Sequence, residues 1–197
     1  MAVSLSSPFI LASASPRREE LLRSLGLKFK ILPAHIDETY LAGETPRTHV
    51  QRLSRGKASA VAAEHPRALV LGADTIVVID GLILGKPENK KEARRMLKRL
   101  SHRTHQVYTG FTLARTDRRI FRTKVVRSAV TFKEISPEEM EWYVDSDEPY
   151  DKAGGYAVQG RGASFIKAIR GSYTNVIGLP LCEVLEELSH LDALHYR

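Results

Sequence analysis

The stretch Val70-Leu71-Gly72-Ala73-Asp74-Thr75-Ile76-Val77-Val78 reads as a central strand with a carboxylate in its middle. That residue constrains the fold more than any other. A carboxylate among buried apolar neighbours loses hydration unless it is paired, hydrogen-bonded or on a metal. Because such groups are seldom fully buried, a bulge or strand end that delivers Asp74 to solvent is the competing reading. The surrounding pattern favours a site.

The rest of the chain alternates short apolar runs with helical stretches. Phe9 to Ser13 is predicted as a short buried strand, followed by a helix that Ser15 caps and Pro16 opens. Leu21, Leu22 and Leu25 form its stripe and Gly26 ends it. Lys28 to Leu32 is the next strand. A second helix runs from Thr45-Pro46 to before Pro66. Ala68 to Ile79 is a strand, turned at Asp80-Gly81 into Leu82-Ile83-Leu84. Lys90 to Leu100 is helical. Gln106 to Ala114 and Ile120 to Phe132 are strands around a polar turn, and Ser136-Pro137 opens a further helix. Ser164 to Ile169 is another strand, and Pro180 to Leu188 a terminal helix. The predicted class is α/β or α+β with a mixed sheet flanked by helices. At 197 residues, one domain, or one domain with two lobes, is the expectation.

Other residues also depart from the apolar pattern. On the second helix, positions 50, 53, 57, 60 and 61 share a face, so Lys57 falls between Leu53 and Val61. Its ammonium either snorkels to solvent or meets a buried phosphate or carboxylate. Arg17 and Arg18 follow a serine-rich turn at a helix start, where free N–H groups and the helix dipole favour an anion. Ser13 and Ser15 add hydroxyl donors. An ordinary capped helix with solvated arginines is the alternative. Gly81 to Pro87 is one residue short of a Walker loop and has proline where the hydroxyl belongs. Lys86 is still placed to reach back toward Asp74, or to stay in solvent. Asp151 to Gly160 is glycine-rich. Its glycines permit close backbone approach to a ligand and Gln159 can read a base edge; a plain flexible turn is the alternative.

Composition narrows the function classes. The formal net charge of +7 suits an anionic ligand, yet no block of five or six like charges argues for a nucleic-acid tail. No apolar run suits a membrane span, and the amino terminus lacks a signal-peptide pattern. The seven histidines lack zinc-ligand spacing. Cys182, the single cysteine, fits a reducing compartment, so a cytoplasmic location is expected. Next to Leu181 and Val184 it reads as a packed thiol.

Taken in order, several segments resemble the Maf family of nucleotide pyrophosphatases. They are Leu11-Ala12-Ser13-Ala14-Ser15-Pro16-Arg17-Arg18, Gly72-Ala73-Asp74-Thr75, Gly85-Lys86-Pro87, Thr104 to Gly110, Asp151 to Tyr156, and Gly171 to Pro180. Each is weak alone, and the ordered set is specific. The only departure is Ala14, where the first motif commonly has glycine. The resemblance implies hydrolysis of a nucleoside triphosphate to its monophosphate and pyrophosphate with a divalent metal. It also implies an elongated, two-lobed fold like that of inosine-triphosphate pyrophosphatase, with residues 1–197 as one domain and a central cleft for substrate.

By the same resemblance, Asp74 matches the proton acceptor, and Arg17, Thr75 and Gln159 match positions linked to substrate choice. Ser13, Arg18, Glu38, Lys57 and Lys86 match other active-site positions. The loop with Lys152 and Gln159 is similar to the branch acting on dTTP and UTP rather than 7-methyl-GTP. Arg17, Arg18, Lys57 and Lys86 are then expected to hold phosphates, and Glu38 and Asp74 to offer oxygen ligands to Mg2+ or Mn2+. Asp74 remains either general base or metal ligand. Clearance of non-canonical nucleotides, and a homodimer by symmetry base rates, extend this expectation. The rival is a nucleotide- or nucleic-acid-binding regulator of cell division without turnover.

Overall fold

The computed structural model describes residues 3–196. Among them the strands are β1 (Val3–Leu5), β2 (Phe9–Leu11), β3 (Lys30–Ile31), β4 (Leu69–Ile79), β5 (Leu82–Leu84), β6 (Thr104–Arg115), β7 (Ile120–Phe132), β8 (Ile166–Arg170) and β9 (Leu194–Tyr196). The helices are α1 (Pro16–Ser24), α2 (Pro46–Glu64), α3 (Lys90–Leu100), α4 (Pro137–Val144), α5 (Tyr173–Ile177) and α6 (Leu181–His190). Seven strands form one mixed sheet in the order β3-β2-β4-β6-β7-β8, with β5 pairing off β4. β2 is parallel to both β3 and β4, whereas the β4/β5 and β7/β8 pairs are antiparallel. The expected mixed α/β class is therefore observed.

Several sequence expectations need correction. β3 is only two residues long, and the strand expected from Ser164 starts at Ile166, after a 3-10 turn over Arg161–Phe165. The β1/β9 pair and the short helix α5 were not anticipated. Cys182 is exposed rather than packed. α6 buries Val184, Glu187 and Leu188, which turns Cys182 outward with its Sγ 3.8 Å from Glu186 Oε1.

The chain forms two compact units. The first comprises Met1–Asp74, Thr109–Val126 and Gly178–Arg197. Strand period two divides its sheet residues between two cores. Leu69, Leu71 and Ala73 pack with Leu22 of α1 and with Val184 and Leu188 of α6. Val70 packs instead with Ala58, Val61 and Ala62 of α2. Helices thus cover both faces of this sheet segment.

Two glycines let α2 sit close to the strands. A Cβ at Gly72 would lie 2.5 Å from the Ser54 carbonyl oxygen and 2.6 Å from the Ala58 nitrogen. One at Gly110 of β6 would lie 2.3 Å from the Val50 carbonyl oxygen. Only glycine permits such backbone contact.

The second unit comprises Thr75–Tyr108 and Arg127–Ile177. Its core joins Val77 and Ile79 of β4, Met96, Leu97 and Leu100 of α3, Phe132 of β7, Tyr143 of α4, and Tyr156 and Phe165. α4 is closed by a capping box in which Ser136 accepts from the Glu139 N–H and Glu139 accepts from the Ser136 N–H.

Candidate active site

Asp74 is reached by counting along β4. Gly72, which touches α2 at Ala58, and Asp74 are two residues apart and so point to the same face. The carboxylate therefore meets Lys57, the residue before Ala58. Lys57 Nζ donates to Asp74 Oδ1 at 2.8 Å, and each residue is 7% exposed. Asp74 is thus buried inside the strand and not delivered to solvent. Its β2 neighbour has already left: the β2/β4 register ends at Leu11 opposite Leu71. The chain after β2 forms the Ser13–Ser15 turn instead.

Lys57 does not snorkel. Its stem lies in the α2 stripe with Leu53, Ser54 and Val61, all buried, and its ammonium bridges two acids. The second is Glu38, whose Oε1 lies 2.9 Å from Nζ and whose side chain is 55% exposed. Glu38 belongs to a stretch without regular structure between β3 and α2.

Arg18, on the first buried turn of α1, is 8% exposed. Its Nη1 donates to Ser13 Oγ at 2.9 Å and its Nε to the Gly178 carbonyl at 2.8 Å. It therefore ties the β2–α1 turn to the segment entering α6. Burial lowers the Arg18 pKa, the Asp74 carboxylate counters that, Arg17 lowers it and Glu38 raises it. The guanidinium nonetheless stays charged. Arg17, Arg18, Glu38 and Asp74 thus share one electrostatic neighbourhood, with Ser13 and Lys57 bonded into it. Arg17 is partly exposed. Ser15 stands at the N-cap of α1, but its side chain makes no capping bond; its N–H donates to Ser13 Oγ at 3.3 Å.

Thr75, Lys86 and Gln159 belong to the second unit. Thr75 follows Asp74 on β4 and is partly exposed, while Lys86 and Gln159 are exposed. The Lys86 segment and the glycine-rich loop are held together: the Gly154 N–H donates to the Gly85 carbonyl at 2.9 Å, and Gly155 packs on Pro87. Gly154 has φ +74, and a Cβ there would meet Val77 at 3.0 Å. A side chain at this position would crowd the core of the second unit. The two flanks of the loop are tied together at Glu148. Glu148 accepts from Tyr143 OH at 3.0 Å and from the N–H groups of Arg161 and Gly162 at 2.8 and 2.9 Å.

Three features escaped the sequence reading. The Gly178 carbonyl partner of Arg18 lies 160 residues away, with no local signal. The cluster of Glu44, His49 and Arg52 behind Glu38 has none either. His105 and Tyr156 lie in two of the quoted motifs, and their contact is a hydrogen bond of 2.7 Å between Nε2 and OH.

The family model described as Maf-like protein matches residues 8–191. The chain belongs to the Maf family. Two Maf-type relatives show how closely. The dTTP/UTP pyrophosphatase of Syntrophus aciditrophicus (strain SB) is 62% identical over 192 residues, 98% of this chain and 94% of that one. The dTTP/UTP pyrophosphatase of Geobacter sp. (strain M21) is 50% identical over 189 residues, 96% and 98% of the two chains. A solved structure, the Staphylococcus aureus Ham1 protein, matches with a TM-score of 0.52 at 15% identity, covering 92% of this chain and 99% of that one. The Maf chain therefore has a Ham1-like fold. No helix among its described residues is long and apolar enough to cross a membrane.

Proposed function

We propose that the chain hydrolyses dTTP and UTP to the monophosphate and pyrophosphate. The observation that carries this reading is the buried Asp74, bonded to Lys57 and lying in the field of Arg18. A phosphate-binding module gains nothing from a carboxylate there, because it repels the anion. A hydrolase needs one, either to take a proton from water or to hold a cation. The similarity to relatives named for dTTP and UTP supports the substrate choice.

The donor set suits Mg2+ or Mn2+. Glu38 and Asp74 both contact the same ammonium, so both carboxylates border one position; among the described residues no group of three or more His, Cys, Asp or Glu side chains is placed to hold a metal unaided. Two hard carboxylates are what Mg2+ uses when substrate phosphates and waters complete its shell. A cation bound by them would mask charge on the departing pyrophosphate. The chain's own residues supply the rest. Arg17, Arg18 and Lys57 hold the phosphates, with Ser13 steadying Arg18. Asp74 accepts a proton from the water that attacks the α-phosphorus. Such a transfer depends on positioning and fixed charge more than on covalent chemistry. Arg17 contributes to the choice of nucleotide. The enzyme works in the cytoplasm, without nucleic acid, as a homodimer, and modified pyrimidine nucleotides are further substrates.

The test is pyrophosphate release from dTTP, UTP and 7-methyl-GTP with Mg2+. We expect turnover of the first two, and a kcat loss on the order of 10²–10⁴-fold in Asp74→Asn. Release of pyrophosphate only from 7-methyl-GTP would reject the substrate. Nucleotide binding without release would favour a regulator, and near-normal turnover by the variant would remove Asp74 from the chemistry.

A further inference from the structure

Glu38 cannot hold itself in place. A Lys–Glu pair whose carboxylate is 55% exposed is screened by solvent and contributes about 0–1 kcal/mol, whereas ordering each loop residue costs about 1–2 kcal/mol. Between Leu32 and Thr45 the chain has no regular structure, so some other contact must fix the carboxylate.

That contact is a second ionic cluster on α2. Arg52 Nη2 donates to Glu44 Oε2 at 2.9 Å while Nε donates to Oε1, a bidentate fork. The same Nη2 donates to the Thr39 carbonyl at 2.9 Å. One guanidinium thus grips the loop at Glu44 and at the residue directly after Glu38. The buried His49 places Nδ1 2.9 Å from Glu44 Oε2. The Tyr40 ring leans on the His49 ring at 5.3 Å, and its hydroxyl donates to the Glu44 carbonyl. The Leu41 N–H also donates to Glu44 Oε2, at 3.2 Å. The Glu44 side chain is only 11% exposed, so solvent competes less for these bonds.

We propose that Arg52, with Glu44 and His49, is a positioning residue that sets the Glu38 carboxylate beside Lys57 and Asp74. The fork fixes the loop backbone at Thr39, and α2 carries both Arg52 and Lys57, so the two ends of the Glu38 contact move as one body. The inference rests on Glu38 being a site residue.

A double-mutant cycle tests it, using Arg52→Lys, which keeps the charge and loses the fork, with Glu38→Gln. Two readouts are taken: kcat for dTTP, and Mn2+ affinity of the nucleotide-free enzyme by electron paramagnetic resonance. Arg52→Lys alone is expected to lower both by about 10–100-fold, as loss of supporting contacts does. In the Glu38→Gln background it should lower either by less than about 2-fold, because its target is gone. Equal losses in both backgrounds would overturn the positioning role. So would wild-type values for Arg52→Lys alone. Wild-type behaviour of Glu38→Gln would remove Glu38 from the site, and this inference with it, leaving the pyrophosphatase reading to the Asp74 variant. Thermal unfolding checks each protein. If Arg52→Lys does not fold, Glu44→Gln takes its place in the cycle with the same criteria.

Discussion

The two compact units treat buried polar groups in opposite ways. In the first, Arg18, Lys57, Asp74 and Glu187 are buried ions, each bonded to a partner. In the second, the polar groups buried among the described residues are neutral. Asn175 Nδ2 donates to the Val107 carbonyl at 3.2 Å and to Ser128 Oγ at 3.0 Å, and His105 meets Tyr156 between aromatic rings. Burial pushes the His105 pKa down to about 4 and the Tyr156 pKa up, so both stay uncharged. Buried charge is expensive and adds little net stability even when paired. Its concentration in the unit that holds Asp74 marks where the fold gives up stability for chemistry.

The largest test of this contrast breaks the Lys57–Asp74 pair one partner at a time. Lys57→Met leaves Asp74 buried without its bonded ion-pair partner, and should destabilise by about 3–5 kcal/mol in urea unfolding. Lys57→Met with Asp74→Leu should restore stability to wild type or above, since well-packed apolar replacements of buried pairs are neutral or stabilising by about 1–4 kcal/mol. The double variant should nonetheless release no pyrophosphate. If it proved as unstable as the single one, the pair would be a stability element and the comparison would fail.

Both members of this pair stood out in the sequence, though not their contact, and the reason is physical. Strand and helix periods are local, so a carboxylate in the Val70–Val78 run and a lysine between Leu53 and Val61 each stand out without a partner in view. Their contact follows once Gly72 is recognised as the point where α2 touches β4. Turns with defined chemistry, such as Thr45-Pro46 and Ser136-Pro137, were legible for the same local reason. The β1/β9 pair was not, because three-residue strands near opposite ends of the chain carry no period. Nor was the Arg52 fork, since nothing in the spacing of Glu44 and Arg52 reveals that a loop will fold back over a helix. Cys182 was misread because its apolar neighbours in sequence lie on a different side of α6.

A middle-sized effect comes from the neutral unit. The His105 pKa falls from 6.5 to about 4 on folding. Between those values the unfolded chain binds a proton that the folded chain refuses, so stability is retained above 6.5 and lost as pH falls toward 4. The shift corresponds to about 3 kcal/mol. Comparing urea midpoints at pH 7 and pH 5 in wild type and His105→Phe isolates it: the variant should lose part of the acid sensitivity. An unchanged pH slope would mean that His105 is solvated and that the second unit is less neutral than its packing implies.

The smallest effect compares two serines that precede proline at a helix start. Ser136 caps α4 with its side chain, accepting from the Glu139 N–H at 3.2 Å, and Ser136→Ala should cost about 1 kcal/mol. Ser15 has extended backbone geometry at the start of α1 but no capping bond. Ser15→Ala should therefore cost only a few tenths of a kcal/mol, a surface-type change. Its effect should appear instead in the KM for dTTP, because its hydroxyl is a further donor at a helix start, where the dipole favours a phosphate. Equal destabilisation by the two substitutions, with KM unmoved, would make Ser15 an ordinary cap. The first unit would then hold its anion through Arg17, Arg18 and Lys57 alone.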